Sequence, residues 1–276
     1  MPEGDTIYRT ATVLRSALLG RVVTAARARP GPGRARVPDL DRLVGQTVTG
    51  VESQGKHLLI RFSNHLTLRT HLRMRGSWHR YAPGEPWQRP AAQATVVLET
   101  PQAIAVCFSA PTAELLSDTE LARQPVLRAL GPDLLSADFD TDEAVRRLRE
   151  LRGLEIGDAL LEQRAVSGIG NVHKSEALFL ERVNPFTPLA ALADETLGAV
   201  LATARRLLAA NVGGGRRVTT GLSRPGQGLW AYGRAGRPCR RCGALVRTAR
   251  QGELARTTYW CPRCQPDAPR PGERRF

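Results

Sequence analysis

The sequence of 276 residues contains few lysines, few aromatic residues and no long apolar run. No stretch reaches the roughly 20 consecutive apolar residues that a helix needs to cross a bilayer. The first residues are charged and lack the apolar segment of a secretory signal. These absences exclude a membrane-spanning protein, and we expect a soluble protein of the cytoplasm.

Lysine is nearly absent from a chain that is strongly basic. The formal net charge is +14, yet Lys56 and Lys174 are the only lysines among 40 basic residues. A bias towards arginine codons explains the scarcity and draws attention to the two lysines that remain. Residues 205–276 hold 16 arginines and three acidic residues, which is nearly the whole net charge. Such a region favours a polyanionic partner, in the first place nucleic acid, over a basic surface without a specific partner.

The composition otherwise fits an ordinary folded protein. Hydrophobic residues make up 42% of the chain, which is enough to form a core and excludes a wholly disordered protein. The length favours two or three domains over one. The sequence contains no internal repeat.

Four of the five cysteines form two closely spaced pairs. Eighteen residues separate the pairs, and each Cys-x-x-Cys turn can aim two thiolates at one tetrahedral ion. Because four protein ligands close the coordination sphere, the spacing predicts one structural Zn²⁺ per chain. Two disulfides are the alternative, which the lack of a secretory signal disfavours. The predicted ligands are Cys239, Cys242, Cys261 and Cys264.

The segment between the cysteine pairs predicts a β-hairpin. Residues 244–248 and 257–260 have the pattern of short strands, and a turn near residues 251–252 joins them. Arg256 then lies near the tip of this hairpin, which zinc would hold in place. The fifth cysteine, Cys107, stands in an apolar run and is expected to be a small buried residue.

The N-terminal half is predicted to begin with a helix and to continue as β-structure. Apolar residues at helical spacing predict an amphipathic helix over residues 5–19. Short runs between turn residues then indicate an antiparallel β-sandwich, and residues 30–38 have the composition of a loop. The predicted strands are 48–51, 57–62, 66–71, 95–98 and 104–108.

The chain becomes helical after residue 125. Asp140 can cap a helix, with Glu143 completing a capping box, and another helix follows Asp194. Residues 213–228 are rich in Gly, Arg and Ser and are predicted to form a flexible loop. Further helices are predicted over residues 156–163 and 172–180.

A glycine motif joins helices 156–163 and 172–180. The sequence Gly168-Ile169-Gly170-Asn171 permits tight backbone turns. It also leaves N–H groups at the start of the second helix free to bind an anion, for which a DNA phosphate is the obvious candidate. A plain packing joint between two helices would have a similar sequence, but the basic zinc hairpin in the same chain favours the phosphate site.

The residues that follow Met1 can support covalent catalysis. Methionine aminopeptidase removes Met1 before a small residue such as Pro2, which leaves a secondary amine beside Glu3. An α-amino group has a pKa of about 7.7–8.0, so a useful fraction is neutral at pH 7. Such an amine can attack a sugar C1′ to give an iminium, and Glu3 could supply the proton transfers. The two residues alone also fit the ordinary start of a helix.

The motifs together resemble the formamidopyrimidine-DNA glycosylase / endonuclease VIII family, whose members remove oxidised bases from DNA and nick the abasic site. They follow the family's order over the full length. The motifs are the Met-Pro-Glu-Gly start, Gly55-Lys56-His57-Leu58-Leu59, Gly168-Ile169-Gly170-Asn171, and Arg256 ahead of Cys-Pro-Arg-Cys-Gln.

The resemblance implies an α+β fold with damaged DNA bound in a cleft between domains. Residues 1–120 would form an antiparallel β-sandwich with a leading helix and carry the catalytic groups. Residues 121–228 would form a helix–two-turn–helix domain, and residues 229–276 a zinc-finger β-hairpin. The family's enzymes imply that this one acts as a monomer in the bacterial cytoplasm, at the nucleoid.

The resemblance also implies a role for each matched residue. Pro2 matches the Schiff-base nucleophile and Glu3 the general acid. Lys56 matches a lysine that binds phosphate and serves β-elimination, although a solvated turn lysine is the alternative. Asn171 matches the turn residue that holds a phosphate. Arg256 matches the zinc-finger arginine that contacts phosphate near the lesion and is assigned to δ-elimination.

Further matches concern the DNA strand and the space left by a flipped base. His71 matches a phosphate contact, with a core or surface histidine as the alternative. The segment Arg73-Met74-Arg75 lies where endonuclease VIII inserts its void-filling residues. Met74 would be an apolar wedge there, or else simple core packing. The Met-Pro-Glu-Gly-Asp-Thr start and the stretch 107–111 also favour the endonuclease VIII branch, and with it oxidised pyrimidines.

The implied activity is that of a bifunctional DNA glycosylase and abasic-site lyase in base excision repair, with β,δ-elimination. One position departs from the family: Thr6 stands where both branches usually carry a second early glutamate, which bears on the rate or the lesion range. A non-catalytic zinc-finger protein that binds or recognises damaged DNA is the main alternative, and an RNA-binding protein is another. The pair Pro2 and Glu3, together with Lys56, favours the enzyme.

Overall fold

The structure is a computed structural model that describes residues 2–30 and 37–267. Contacts divide the chain into two compact units, Met1–Ala129 and Leu130–Phe276. Antiparallel sheets fill the first unit, and helices with one hairpin fill the second, which confirms the predicted α+β class. Most of the loop predicted over residues 30–38 lies outside the described residues. The domain limits 120/121 and 228/229 stay a prediction.

The first unit consists of a leading helix and two four-stranded antiparallel sheets. The strand orders are β1-β6-β7-β5 and β2-β3-β4-β8. Two short helices close the unit. The elements are α1 Gly4–Leu18, β1 Ala25–Ala28, β2 Val48–Gln54, β3 His57–Phe62, β4 Leu66–His71, β5 Ser77–Tyr81, β6 Ala94–Glu99, β7 Ile104–Phe108, β8 Thr112–Ser117, α2 Asp118–Ala122 and α3 Pro125–Arg128, with 3₁₀ turns at Asp41–Leu43 and Ala91–Gln93.

One apolar core joins α1 to both sheets. The predicted amphipathic face of α1 is buried, as are the inward side chains of the central strands. Burial of this continuous apolar surface is the main force that stabilises the sandwich. Cys107 is fully buried in this core, as predicted. Helix α1 contributes four side chains to the same core, those of Ile7, Ala11, Leu14 and Leu18.

The five predicted strands are confirmed, and three further strands were missed. The missed strands β1, β5 and β8 all lie at sheet edges. These three strands are less buried than the central strands, whose side chains are nearly all buried, so they lack the long apolar run that marks a central strand. The sequence of β8, Thr-Ala-Glu-Leu-Leu-Ser, even favours a helix by its intrinsic propensity.

The second unit packs helices around a separate apolar core. Asp140 caps the first of these helices, because its side chain accepts a hydrogen bond of 3.0 Å from the backbone N–H of Glu143. The carboxylate of Glu143 instead binds Arg146 and Arg147, so the capping box was wrong in its second half. The helices are α4 Thr141–Arg149, α5 Ile156–Ala159, α6 Asn171–Leu180 and α7 Asp194–Ala210, with a 3₁₀ turn at Leu189–Ala191.

The hairpin lies further along the chain than predicted. Strands β9 Arg247–Gln251 and β10 Arg256–Trp260 pair antiparallel, whereas the sequence pattern predicts the first strand over residues 244–248. Residues 244–246 instead pair back onto the first cysteine turn, through the bond from Cys239 N to Ala244 O and that from Val246 N to Arg237 O. The first cysteine turn therefore takes the backbone partners that a longer hairpin would have used.

The helix predicted over 156–163 is also shorter, since α5 ends at Ala159 and turns follow. Among the described residues, no helix combines the length and the apolar character that a membrane span requires.

Candidate active site and nucleic-acid interface

The N-terminal residues lie at the start of α1. Pro2 is half-buried, and Glu3 is fully buried at the N-cap with an extended backbone. The carbonyl of Glu3 accepts the first helical hydrogen bond, from Ile7 N at 3.1 Å. The helix thus fixes the backbone immediately after Pro2, and the positive end of the helix dipole favours a carboxylate at this place.

Lys56 lies at the tip of a two-residue turn between β2 and β3. Gln54 pairs with His57 across the turn, and Gly55 has a φ of 56°. This left-handed conformation is strained for residues with a Cβ, so glycine suits the turn. The turn holds the half-buried Lys56 at one end of the sheet β2-β3-β4-β8.

Two neutral histidines lie beside Lys56. His57 and His71 are cross-strand neighbours with ring centroids 4.7 Å apart. Burial lowers the pKa of His57 to about 3, with further effects from the charges of His71, Arg69 and Lys56. Burial, followed by the charges of Arg73, Lys56 and Arg69, lowers the pKa of His71 to about 4. Both imidazoles are therefore neutral at pH 7.

Hydrogen bonds fix the tautomers of the two imidazoles. Arg69 Nη1 lies 3.0 Å from His57 Nδ1, and a guanidinium can only donate. Arg73 N donates to His71 Nδ1 at 3.3 Å. Each ring accepts at Nδ1, so its proton is on Nε2. Arg69 is itself buried and held by Glu114, whose Oε2 lies 2.7 Å from Arg69 Nη2.

The segment Arg73-Met74-Arg75 forms an exposed turn between β4 and β5. The Met74 side chain is 60% exposed, so the interpretation as core packing is wrong. The turn is tight, because Gly76 N donates to Leu72 O at 2.9 Å and a Cβ on Gly76 would lie 2.7 Å from that oxygen. An apolar side chain presented in this way fits the predicted wedge.

Hydrogen bonds from Arg89 stabilise the Arg73-Met74-Arg75 turn. Its Nη1 donates to Arg75 O at 3.3 Å and to Ser77 Oγ at 2.8 Å, and its Nη2 donates to Ser109 Oγ at 3.2 Å. The guanidinium also lies over the ring of Phe108, 5.4 Å from the centroid. One side chain therefore links the Met74 turn to the turn after β7.

In the second unit, the glycine motif ends where α6 begins. Gly168 has a φ of 98° and Gly170 is the N-cap, which confirms a tight turn before a helix. Asn171 is 7% exposed, and its Nδ2 donates to Thr257 O at 2.7 Å. Asn171 is thus bonded to the strand that carries Arg256, and one N–H of its amide remains for a further acceptor.

Arg256 is the first residue of β10 and is half-buried. Within residues 2–30 and 37–267, its side chain makes no hydrogen bond or ion pair. The backbone of the next residue in the strand, Thr257, accepts a hydrogen bond from Asn171. A fixed backbone and an uncommitted guanidinium suit a residue that binds an anion from outside the protein.

The four predicted zinc ligands lie together. Their sulfur atoms are all within 4.8 Å of one another, with 3.8 Å between Cys239 and Cys264 and 3.4 Å between Cys242 and Cys261. Tetrahedral Zn–S bonds of about 2.3 Å place sulfurs about 3.8 Å apart, so the cluster fits this ion. The cysteines are not disulfide-bonded, and the disulfide alternative is wrong.

Sequence reasoning missed the residues, most of them buried, that hold these groups. An arginine within the apolar strand β4 and one of only two lysines, on α6, were the available signals. The sequence does not reveal the partner of either residue, because Glu114 lies 45 residues from Arg69 and Thr258 lies 84 residues from Lys174. The missed residues are Arg69, Arg89, Glu114, Lys174, Gln251 and Thr258.

Comparison with known proteins places the chain in a family. The formamidopyrimidine-DNA glycosylase N-terminal domain matches residues 1–112, the H2TH domain of the same glycosylase matches residues 130–221, and a zinc finger found in FPG and IleRS matches residues 236–266. A relative named probable endonuclease 8 2, from Streptomyces coelicolor, is 46% identical over 99% of this chain and 98% of its own. The chain therefore belongs to the formamidopyrimidine-DNA glycosylase / endonuclease VIII family.

Other relatives carry related names. A DNA-(apurinic or apyrimidinic site) lyase Nei2 from Mycolicibacterium smegmatis is 40% identical over 96% of this chain and 99% of its own. A formamidopyrimidine-DNA glycosylase from Stutzerimonas stutzeri is 32% identical over 96% and 100%. A solved Lactococcus lactis FPG mutant, in complex with Fapy-dG DNA, has the same fold, with a TM-score of 0.80 and 23% identity over 96% of this chain and 100% of that one.

Proposed function

We propose that this protein is a bifunctional DNA glycosylase and abasic-site lyase that excises oxidised bases in base excision repair. The observation that carries the proposal is the pair Pro2–Glu3 at the buried start of α1 in a chain of this family. Lys56 and the neutral His71 lie in the same unit as this pair. Relatives named as endonuclease 8 and as an abasic-site lyase support the same activity.

The chemistry begins when Met1 is removed. Pro2, now a secondary amine, attacks C1′ of the damaged nucleotide, and the base leaves with the electron pair of its glycosidic bond. Glu3 supplies the proton transfers that base loss and ring opening require. The product is an iminium between Pro2 and the sugar.

Strand cleavage follows from the iminium. It acidifies the C2′ proton, whose loss expels the 3′-phosphate in β-elimination, with Lys56 bound to phosphate. Loss of the C4′ proton then expels the 5′-phosphate in δ-elimination, which Arg256 serves by stabilising the leaving anion. The result is a one-nucleotide gap.

The DNA contacts explain how a base becomes accessible. A base must leave the stack before C1′ can be attacked, and flipping is less costly at a damaged pair. Met74, with Arg73 and Arg75, would fill the vacated space, while His71 and Asn171 hold backbone phosphates. The sequence motifs that resemble the endonuclease VIII branch favour oxidised pyrimidines as the substrates, and relatives named endonuclease 8 support that branch.

We further propose one Zn²⁺ per chain, held by the four cysteines. Its role is structural, because four thiolates leave no open coordination site. The ion would fix the hairpin that carries Arg256. We also propose that the enzyme acts as a monomer, and that it works at the nucleoid in the bacterial cytoplasm, where a repair enzyme would meet damaged DNA.

Borohydride trapping tests the function. Abasic-site duplex and borohydride should give a covalent protein–DNA complex, because hydride reduces the iminium to a stable amine. Protein that retains Met1 with its α-amino group blocked should give none, since its proline nitrogen lies in an amide and no free terminal amine remains. Glu3→Gln should slow base excision more than cleavage of a preformed abasic site. A panel of end-labelled duplexes with oxidised pyrimidines or purines would identify the lesion.

The outcomes separate the competing functions. Full trapping by protein whose N-terminus is blocked would identify a lysine such as Lys56 as the nucleophile. Binding to damaged duplex without trapping or cleavage would favour a non-catalytic zinc-finger protein that recognises damage.

A further inference from the structure

Lys174 is a fully buried lysine in the first turn of α6. Its Nζ lies 2.6 Å from Thr258 Oγ1 on β10. A buried ammonium is costly unless hydrogen bonds compensate for its lost hydration. A lysine in such a place therefore needs specific partners, and one of them, Thr258, lies on the hairpin that carries Arg256.

The hydrogen bond from Lys174 to Thr258 begins a series of hydrogen bonds that all run in the same donor-to-acceptor direction. Thr258 Oγ1 accepts from Lys174 and donates to Gln251 Oε1 at 2.8 Å. Gln251 Nε2 in turn donates to Glu155 Oε2 at 2.8 Å and to Pro185 O at 2.8 Å. The series starts at an ammonium and ends at a carboxylate, so its dipoles are aligned and strengthen one another.

The two middle members of this series flank Arg256. Gln251 is the cross-strand partner of Arg256, and Thr258 lies two residues further along β10. Because side chains alternate along a strand, all three lie on one face of the hairpin. The backbone between Arg256 and Thr258 is held as well, since Thr257 O accepts from Asn171 Nδ2 at 2.7 Å.

The packing leaves the hairpin little freedom to shift. A Cβ on Gly157 of α5 would lie 2.4 Å from Gln251 Oε1, and a Cβ on Gly252 would lie 2.1 Å from Asp158 Oδ1. Gln251 and Thr258 are 5% and 0% exposed. The base of Arg256 is rigid, while its guanidinium makes no hydrogen bond within the described residues.

We propose that Lys174 is a positioning residue for Arg256, acting through Thr258 and Gln251 to hold the guanidinium for δ-elimination. The inference rests on the proposed function. In this step the C4′–H bond breaks and its proton passes to solvent. The electron pair forms the C4′–C5′ double bond, the C5′–O bond breaks, and the 5′-phosphate leaves with the electrons. The guanidinium stabilises that phosphate, and a misplacement of about 1 Å can cost about 100-fold in rate.

The test compares β- and δ-elimination on end-labelled abasic-site duplex. Lys174→Met removes the ammonium, and Thr258→Val removes the hydroxyl without changing the shape. Each should lower the rate of δ- relative to β-elimination about tenfold or more, while borohydride trapping stays within about twofold of wild type. Thr258→Ser, which restores the hydroxyl, should recover the wild-type ratio. Thr248→Val, at an exposed position of the same hairpin, is the matched control.

A double variant tests whether Lys174 acts through Arg256. Arg256→Ala should reduce the ratio as Lys174→Met does, and the two changes together should cost no more than Arg256→Ala alone. The zinc content of each variant shows whether the hairpin is intact. If Lys174→Met loses zinc, the comparison of Thr258→Val with Thr258→Ser tests the inference instead. The inference would be overturned by an unchanged ratio of δ- to β-elimination or by an equal loss of rate in both steps. Losses that add in the double variant would also overturn it. Failure of trapping by the wild type would instead reject the proposed function.

Discussion

The carboxylate of Glu176 is expected to be a main anchor of the second unit. It is fully buried on α6. Its Oε1 accepts from Ala231 N and Tyr232 N at 2.8 Å each, and its Oε2 accepts from Trp230 N at 2.7 Å and from the hydroxyl of Thr219. Four donors from the segment before the first cysteine turn thus converge on one charge.

Glu176→Gln keeps the shape of the side chain and removes both the charge and one acceptor. The new NH₂ group faces donors that the carboxylate had satisfied. A hydrogen bond to a charged group contributes about 1.5–3 kcal/mol, and a buried donor left without a partner costs about 1–3 kcal/mol. We therefore expect the variant to lose about 3–5 kcal/mol of unfolding free energy. At about 2–4 °C per kcal/mol for a domain of this size, Tm should fall by about 6–20 °C.

Calorimetry of the zinc-loaded protein, with zinc release measured in parallel, checks this expectation. Glu181→Gln is the matched control, because Glu181 ends the same helix, is half-buried and accepts a bond of 2.6 Å from Thr203 Oγ1. Its loss should cost about 1 kcal/mol. Equal effects of the two changes would refute the reasoning, since the convergence of four donors would then add nothing.

Three further predictions concern zinc, salt and pH. Elemental analysis should find one zinc per chain, and Cys261→Ser should lose it and weaken DNA binding while the first unit stays folded. If a handful of phosphates are neutralised, the slope of log affinity against log salt should be about −4 to −6, and a flat dependence would contradict backbone contacts. Stability should fall from pH 6.5 to 4, because the unfolded chain binds protons that His57 and His71, with pKa values of about 3 and about 4, do not. In thermal unfolding, His57→Gln should reduce this fall, and an unchanged fall would contradict the role of His57.

Sequence patterns were sufficient where one residue type recurs at a spacing set by local geometry. The α1 helix, strands β2, β3, β4, β6 and β7, and the four-cysteine cluster follow from such spacing. The edge strands β1, β5 and β8 could not be predicted in the same way, because their pairing depends on neighbouring strands and not on their own sequence pattern. The hairpin was displaced for a related reason: the first cysteine turn and the strand compete for the backbone of residues 244–246.

The candidate site shows the same division. Pro2, Lys56 and Asn171 are recognisable because they belong to short motifs. The residues that hold such groups are spread along the chain, as Arg69 is joined to Glu114 and Lys174 to Thr258 only by the fold. A buried charge within an apolar segment signals that a partner exists, but the fold must identify it.

The replacement of the second early glutamate by Thr6 can be understood from the first turn of α1. The amide and the hydroxyl of Thr6 both donate to Asp5 Oδ1, at 2.6 and 3.1 Å. Asp5 is 3% exposed and lies at the helix N-terminus, where the dipole favours a negative charge. The first turn therefore keeps two buried carboxyl groups, Glu3 and Asp5, although position 6 has none. Thr6 therefore holds the carboxylate of Asp5 in place, and Glu3, the acid that the proposed Schiff-base chemistry uses beside Pro2, is still present.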